Sequence, residues 1–265
     1  MTPRLIVSDL DGTLLGSDHV LHESTIEVLR ALTEQGHQLT LASGRHYRDM
    51  KVFRDELDVP MHLISSNGAY THAPDDTLLA AHHVDPDKAR ALINLDRPAN
   101  VRLSLYLDDA WYIDSESPGH LAMHAATGFV YQVVPADEMP VNGIGKVLYG
   151  GDPSELARIE ASVRQIGGDH LHVTYSTPNS LEIMAGGVNK GVALAALLER
   201  LNLSADECLA FGDNLNDVEM LALAGEAHYM ANAHPEMAGR LGRGCQIGHH
   251  HEAGVAELLR ERFGL

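Results

Sequence analysis

The chain has 265 residues, a length typical of two domains or of one large α/β domain with an insertion. It carries 19 Lys and Arg against 37 Asp and Glu, which gives a formal net charge of −18 at pH 7 with His neutral. This balance argues against nucleic acid and anionic membranes as partners, because both require clustered cations, and no apolar run approaches the ~18 residues of a membrane-spanning helix.

The N-terminal part of the chain alternates between strand and helix patterns. We predict strands over residues 5–7, 38–42 and 62–64, and helices over residues 24–35 and 47–57. This β-α-β-α-β order is typical of a parallel sheet with helices on both faces.

A different pattern begins after Tyr70 and extends to about residue 184. Residues 71–77 are predicted as turns. Strands and helices then mix, with strands over 102–107, 111–113, 146–149 and 170–174 and helices over 121–126 and 154–166. This mixture predicts an inserted α+β domain. The first pattern then resumes with a helix over 190–201 and a strand over 207–211. We therefore predict two domains. Residues 1–82 and 186–265 form an α/β core, and residues 83–185 form the inserted domain.

Polar residues accumulate where the predicted core strands end. The loops after four of these strands hold the candidate site residues Asp9, Asp11, Ser43, Gly44, Arg45, Asn67, Gly68, Asp213, Asn216 and Asp217. In open parallel sheets, ligands bind in the crevice beyond the carboxyl ends of the strands. The four loops are therefore expected to face one crevice.

The residue types in these loops indicate phosphoryl transfer. Oxygens of Asp9, Asp213 and Asp217 suit a hard cation such as Mg²⁺, and the same set also accepts Mn²⁺. Arg45 and Lys190 supply positive charge beside the carboxylates. Loop N–H groups can donate to phosphoryl oxygens. A carboxylate nucleophile, a second carboxyl as acid and base, and a divalent cation together make a phosphoryl-transfer site.

Four motifs in order resemble the haloacid dehalogenase (HAD) superfamily, Cof-type branch. They are Asp9-Leu10-Asp11-Gly12-Thr13, Ser43-Gly44-Arg45, Asn189-Lys190-Gly191 and Gly212-Asp213-Asn214-Leu215-Asn216-Asp217. The insertion of about 100 residues between the second and third motifs resembles the type IIB arrangement. The resemblance covers essentially the whole chain. It implies a Rossmann-like parallel-sheet core with an inserted α+β cap of the C2B type.

The resemblance also implies roles for the site residues. Asp9 would be the nucleophile that forms an aspartyl-phosphate, and Asp11 would protonate the leaving alcohol and then activate water. Mg²⁺ would be held by the Asp9 side chain, the Asp11 backbone carbonyl and Asp213. The remaining residues would bind the phosphoryl group or support the metal site: Ser43, Lys190, Asn67, Asn216 and Asp217.

The implied substrates are small phosphorylated metabolites. The stretches Ser43-Gly44-Arg45-His46 and Cys208-Leu209-Ala210-Phe211-Gly212-Asp213 resemble Cof hydrolases that act on hydroxymethylpyrimidine diphosphate. Pyridoxal phosphate and sugar phosphates are further candidates within the branch. His46 follows Arg45 and is a further candidate for contact with a leaving group.

Three other functions are weighed against a phosphatase. A phosphotransferase or mutase would pass the aspartyl-phosphate to a second alcohol instead of water. A phospho-acceptor regulatory domain also clusters Asp and Lys around Mg²⁺, but Asp11 and the large insertion argue against it. A metabolite-binding module with an inactive site is disfavoured, because every expected catalytic position is filled.

The remaining signals are interpreted as structural. Cys208 and Cys245 give no disulfide framework or metal knuckle. The run His249-His250-His251 is expected to be a solvated loop, because three consecutive residues on regular structure do not face one ion. Residues 1–4 are followed by too short an apolar run for a signal peptide. We expect a cytoplasmic protein that is a monomer or a weak homo-oligomer.

Overall fold

The computed structural model describes residues 5–124 and 127–265. In chain order, the strands are β1 (Leu5–Ser8), β2 (Gln38–Ala42), β3 (Met61–Ser65), β4 (Tyr70–His72), β5 (Leu78–Ala81), β6 (Arg102–Tyr106), β7 (Trp111–Ile113), β8 (Gln132–Val133), β9 (Lys146–Gly150), β10 (Leu171–Thr177), β11 (Ser180–Ala185), β12 (Cys208–Gly212), β13 (Glu226–Tyr229) and β14 (Cys245–Gln246). The helices are α1 (Glu23–Glu34), α2 (Tyr47–Leu57), α3 (Pro86–Ile93), α4 (Pro118–Met123), α5 (Pro153–Gly167), α6 (Lys190–Leu201), α7 (Val218–Leu223), α8 (Met237–Leu241) and α9 (Gly254–Phe263). The run at residues 1–4 and the last two residues of the predicted helix 121–126 lie outside the described residues.

The first sheet has eight strands in the order β14-β13-β12-β1-β2-β3-β4-β5. Neighbours from β14 to β3 pair in parallel, whereas β3–β4 and β4–β5 pair antiparallel. Part of the stretch 71–77 therefore belongs to a strand rather than to turns, since Thr71 pairs with Ile64. Because β1, β2, β3 and β12 are parallel, their carboxyl ends meet at one edge of the sheet.

Side chains of the parallel strands alternate between two apolar layers. Ile6 and Leu39 lie in a cluster with residues of α1, α2 and α9. Leu5 and Val7 lie in a second cluster with residues of α6, α7 and α8. Burial on both faces explains why these strands are almost continuously apolar in sequence.

The second sheet has six strands in the order β10-β11-β9-β6-β7-β8. Its strands pair antiparallel except for β7–β8. Leu103, Val147 and Ile183 point to one face, where they pack with apolar residues of α3 and α5. The alternate positions, among them Tyr106 and Lys146, point to the opposite face and line a cavity.

The two sheets use different parts of the chain. Strands β6 to β11, spanning residues 102–185, form the second sheet, and all other strands form the first. The domain boundaries 82/83 and 185/186 stay a prediction. Within the described part of the chain, no helix is both long and apolar enough to cross a membrane. Cys208 is a buried free thiol, as expected, and Cys245 is exposed.

Candidate active site

The loops after β1, β2, β3 and β12 meet at the edge of the first sheet. Backbone hydrogen bonds join them: Asp9 N donates to Phe211 O at 3.0 Å, and Asn67 N donates to Ser43 O at 3.0 Å. Ser66 N donates to Arg45 O at 2.9 Å. The parallel order of these strands thus places four polar loops together, although Asp9 and Asp213 are 204 residues apart in sequence.

A buried ion cluster lies at the centre of these loops. Lys190 Nζ donates hydrogen bonds of 2.6 Å to Asp9 Oδ1 and 2.6 Å to Asp217 Oδ1, and the Lys190 side chain is 0% exposed. Burial opposes the ammonium, but the two carboxylates outweigh it and hold the pKa of Lys190 above its ordinary value. Lys190 opens α6, where a cation is unfavourable. These two carboxylates offset that cost.

Asp217 stabilises the loop after β12. Its Oδ2 accepts hydrogen bonds from the backbone N–H groups of Asp213 at 2.9 Å and Asn214 at 3.0 Å. Its Oδ1 already accepts from Lys190. The buried carboxylate therefore fixes the backbone that carries Asp213.

Three carboxylates form a site that fits a hard cation. Oxygens of Asp9, Asp213 and Asp217 lie within 4.8 Å of one another. Burial and the charge of Asp217 raise the pKa of Asp213 to about 7. Burial also raises the pKa of Asp9, and the neighbouring carboxylates add to this effect against the opposing charge of Lys190. A single ammonium leaves net negative charge among oxygen ligands, which is the environment that Mg²⁺ prefers.

Gly12 is required for this packing. Its φ is +76°, and a Cβ atom built there would lie 2.5 Å from Asp213 Oδ2. Thr13 hydroxyl also donates to Asp213 Oδ1 at 3.1 Å. The loop after β1 thus fits directly against the Asp213 carboxylate.

Asp11 is paired with Arg45. Arg45 donates two hydrogen bonds to the carboxylate, of 2.7 Å from Nε and 2.6 Å from a terminal nitrogen, and His19 Nδ1 lies 3.2 Å from it. Burial raises the pKa of Asp11, but the hydrogen bonds and charge of Arg45 outweigh it, so the pKa lies below its ordinary value. Asp11 is therefore held as a carboxylate in this arrangement.

Asn67 lies in a tight backbone turn. Ser66 and Asn67 have φ of +48° and +56°, in the left-handed region that non-glycine residues seldom adopt. The Asn67 amide accepts a hydrogen bond of 3.0 Å from Asn216 and donates one to Glu182. Gly68 has a packing role, because a Cβ there would lie 2.5 Å from the backbone oxygen of Asn189.

A cavity of about 700 Å³ opens between the loops and the second sheet. Seven of the predicted site residues line it: Asp9, Asp11, Ser43, Gly44, Arg45, Asp213 and Asn216. The other four, Asn67, Gly68, Lys190 and Asp217, are not among its described lining residues. Asn67, Lys190 and Asp217 form hydrogen bonds with residues that do line it. The sequence-predicted residues therefore divide into a group facing the cavity and a group that supports it.

Two buried charged residues of the second sheet belong to the same site. Lys146 Nζ donates to Gly44 O at 2.6 Å and to Glu182 Oε1 at 2.8 Å. Glu182 in turn accepts from Asn67. Sequence reasoning missed both residues. The available signal was a charged residue inside each of two apolar strands, β9 and β11.

His46 lies where the two sheets meet. Its Nδ1 accepts from Arg48 N at 3.2 Å, its Nε2 lies 2.7 Å from Leu107 O, and its ring stacks on Phe129 at a centroid distance of 4.1 Å. Burial lowers the pKa of His46 to about 4. Both ring nitrogens have partners within the protein, and His46 also lines the cavity, so its contact with a leaving group stays a prediction.

The run His249-His250-His251 forms a short turn against the loop after β1. His250 Nδ1 lies 2.8 Å from Leu15 O. Ring nitrogens of the three residues lie within 4.8 Å of one another. The ring nitrogens therefore converge where the run enters a short 3₁₀ helix, although three consecutive residues were not expected to face one ion. The three residues are half-buried or exposed.

Comparisons with known proteins agree with this architecture. The family of haloacid dehalogenase-like hydrolases matches residues 6–259. The HMP-PP phosphatase of Shigella flexneri serotype 5b is 34% identical over 256 residues, which cover 97% of this chain and 94% of that protein. A structure from Thermotoga maritima is 27% identical with a TM-score of 0.83, covering 98% of this chain and 97% of its own. A HAD subclass IIB sugar phosphatase, at 18% identity, has the same fold with a TM-score of 0.83, covering 98% of this chain and 99% of its own.

The chain belongs to the haloacid dehalogenase-like hydrolase family. The predicted fold class is confirmed, an α/β protein with a Rossmann-like, largely parallel core sheet. It is a phosphatase of this family, which acts on phosphate ester bonds.

Proposed function

We propose that this protein is a Mg²⁺-dependent phosphatase that hydrolyses small phosphorylated metabolites through an aspartyl-phosphate on Asp9. One observation carries the proposal. A cavity wall holds the Asp9 carboxylate, and a second carboxyl (Asp11) and a third (Asp213) face the same cavity. Lys190 fixes Asp9 from behind at 2.6 Å.

Asp9 acts as the nucleophile. One of its carboxylate oxygens bonds to phosphorus while the bond from phosphorus to the leaving oxygen breaks. Asp11 donates its proton to that leaving oxygen. In the second step Asp11 takes a proton from water, the water oxygen bonds to phosphorus, and the Asp9–phosphorus bond breaks to release inorganic phosphate.

Arg45 governs the protonation of Asp11. The two hydrogen bonds of Arg45 keep Asp11 ionised, which is the form required by the second step. The incoming phosphoryl group is an alternative partner for the same guanidinium. When Arg45 turns to the substrate, Asp11 loses the charge that lowered its pKa and can carry the proton needed in the first step.

The metal site follows from the carboxylates. Asp9, Asp213 and the backbone carbonyl of Asp11 would hold Mg²⁺, with Asp217 and Asn216 supporting them. When bound, the cation neutralises the carboxylates and the phosphoryl oxygens, so that an anionic nucleophile can approach an anionic substrate. Ser43 and the N–H groups of its loop donate to the phosphoryl oxygens. Mn²⁺ is a possible substitute.

The relatives named HMP-PP phosphatase support hydroxymethylpyrimidine diphosphate as the first substrate to test. Pyridoxal phosphate and sugar phosphates follow it. A cytoplasmic location and a monomer or weak homo-oligomer stay predictions.

Phosphate release from this panel tests the proposal. Wild-type protein is assayed with Mg²⁺, with Mn²⁺ and with EDTA, beside Asp9→Asn and the control Asp55→Asn, an exposed position on α2. We expect metal-dependent release that is lost in Asp9→Asn and retained in the control. Wild-type turnover in Asp9→Asn would overturn the mechanism.

Two outcomes would favour the other functions. A phosphorylated acceptor alcohol formed without inorganic phosphate would indicate a phosphotransferase or mutase. A long-lived phosphoprotein without turnover would indicate a phospho-acceptor domain. Acetyl phosphate serves as the phosphoryl donor for that last measurement.

A further inference from the structure

The cavity contains three Lys and Arg side chains, and two of them hold a carboxylate. Arg45 is paired with Asp11, and Lys146 is paired with Glu182. Arg102 also lines the cavity, but its buried Nε has no hydrogen-bond partner. Among the described residues, Arg102 is therefore the one Lys or Arg side chain of the cavity that forms no ion pair with a carboxylate.

The acidic groups on that side of the cavity have other partners. Asp152 accepts hydrogen bonds from the backbone N–H and the hydroxyl of Ser154, at 2.9 and 2.6 Å. Glu116 accepts from the Tyr131 hydroxyl at 2.7 Å. A buried donor without a partner is unfavourable, so Arg102 Nε is available to an added acceptor in the cavity.

Arg102 lies at the opposite end of β6 from Tyr106 and from the loop after β2. In the β6–β9 register, Tyr106 is opposite Lys146, which contacts Gly44 of the first sheet, and Arg102 is opposite Gly150. Arg102 and Tyr106 share a face of β6 because they are an even number of residues apart, and roughly 13 Å of strand separates them. Arg102 is thus displaced along the sheet from the contact between Lys146 and Gly44.

Space for a ligand exists beside Arg102. Gly150 presents no side chain opposite it and lines the cavity, as do Ser180 and Asn179. Asn179 is held by a hydrogen bond of 2.9 Å from its amide to Gly151 O. A chain of net charge −18 offers an anion little general attraction, so a local unpaired cation decides where an anionic group binds.

We propose that Arg102 binds a second anionic group on the leaving group of the substrate, at the end opposite the transferred phosphate. This inference rests on the proposed phosphatase function and predicts that, among its substrates, metabolites with a second anion are preferred. The second anion is a phosphate or a carboxylate, since both match the guanidinium.

Matched substrate pairs test the proposal and distinguish the two kinds of anion. Sorbitol 6-phosphate is compared with 6-phosphogluconate, which has a carboxylate in place of the terminal alcohol. Fructose 6-phosphate is compared with fructose 1,6-bisphosphate. Wild-type protein should give a kcat/KM about tenfold to a hundredfold higher for the member with two anions in at least one pair, as a charge-assisted contact predicts.

Variants assign that preference to Arg102. Arg102→Gln should reduce the ratio of kcat/KM within the preferred pair by the same factor, chiefly through KM, and Arg102→Lys should restore part of it. Arg164→Gln, which removes an exposed α5 side chain paired with Glu160, should leave the ratio unchanged. Circular dichroism checks that the variants are folded.

The outcomes separate this inference from the proposed function. If wild-type protein releases phosphate equally from both members of both pairs, the inference is overturned and the phosphatase stands. The same holds if wild-type protein discriminates but Arg102→Gln and Arg102→Lys keep the wild-type ratio. If wild-type protein releases phosphate from no substrate, the proposed function itself fails. Should Arg102→Gln not fold, the wild-type ratios and Arg102→Lys decide.

Discussion

Lys146 of the second sheet donates a hydrogen bond of 2.6 Å to the carbonyl oxygen of Gly44 in the first. The Lys146 side chain is only 4% exposed, and Glu182, its partner at 2.8 Å, is 3% exposed. Glu182 also accepts from Asn67. This buried pair therefore joins the cavity wall of one sheet to two loops of the other.

Lys146→Met should be strongly destabilising. It leaves the Glu182 carboxylate buried without its cation, and breaking a buried pair in this way costs about 3–5 kcal/mol. The free energy of unfolding in urea measures the loss. KM for the preferred substrate should also rise, because Gly44 and Asn67 lose a fixed neighbour.

The double variant Lys146→Met with Glu182→Gln is the control for charge. It removes both charges and keeps an oxygen that can accept from Asn67. We expect it to recover most of the stability lost in Lys146→Met, as buried pairs replaced together are often nearly neutral. A double variant as unstable as the sum of the two single ones would show that the charges are not coupled.

Gly12→Ala should damage the metal site specifically. The new Cβ would lie 2.5 Å from Asp213 Oδ2, so the carboxylate must move. Gly36→Ala is a matched control, since Gly36 has a similar φ of +88° but no atom within 4 Å of a built Cβ. Both variants should lose about 1 kcal/mol to backbone strain. Phosphatase assays over a range of Mg²⁺ should show a higher half-saturating Mg²⁺ concentration only in Gly12→Ala, and equal behaviour of the two would contradict this role.

The sequence predicts the loops of the first sheet because parallel strands bring their carboxyl ends together. Asp9 and Asp213 are 204 residues apart, yet strand-helix alternation alone implies that they meet. Lys146 and Glu182 follow no such rule. Their contact depends on β9 pairing with β11 rather than with another strand. The local pattern of apolar residues does not predict which strands of the second sheet are neighbours.

Supporting residues were also hard to distinguish from residues that contact a ligand. Asn67 and Gly68 are residue types expected of a phosphate loop. The Asn67 amide, however, is hydrogen-bonded to Glu182 and Asn216, and the backbone of Asn189 lies against Gly68. Burial and hydrogen-bond partners depend on the tertiary structure, so residue type alone does not separate the two groups.

Acid should destabilise the fold through His46. Its pKa is about 4 in the folded protein against 6.5 when unperturbed, so the unfolded chain binds the extra proton between these values. The free energy of unfolding is therefore highest above pH 6.5 and falls as the pH drops toward 4. The contribution of His46 to this fall is about 3 kcal/mol. Urea unfolding at pH 7.5 and pH 5 measures the loss.

His46→Asn tests the source of this pH dependence. Asn keeps an acceptor at the N-cap of α2 but does not titrate. We expect lower stability at both pH values, since the contact with Leu107 is lost, and a smaller difference between them. The exposed control His82→Gln should retain the wild-type difference. A difference that is unchanged in His46→Asn would exclude His46 as its origin.

Asp213→Asn should separate stability from metal binding. Without a cation, Asp213 and Asp217 repel each other, and burial with this repulsion raises the pKa of Asp213 to about 7. At pH 8 the metal-free variant should therefore be more stable than the metal-free wild type. Mg²⁺ at about 100 times its Kd should stabilise the wild type by about 2.7 kcal/mol and the variant much less. Thermal unfolding with EDTA and with Mg²⁺ measures both effects, with Asp55→Asn as the exposed control. An Mg²⁺ response in Asp213→Asn equal to that of the wild type would place the cation elsewhere.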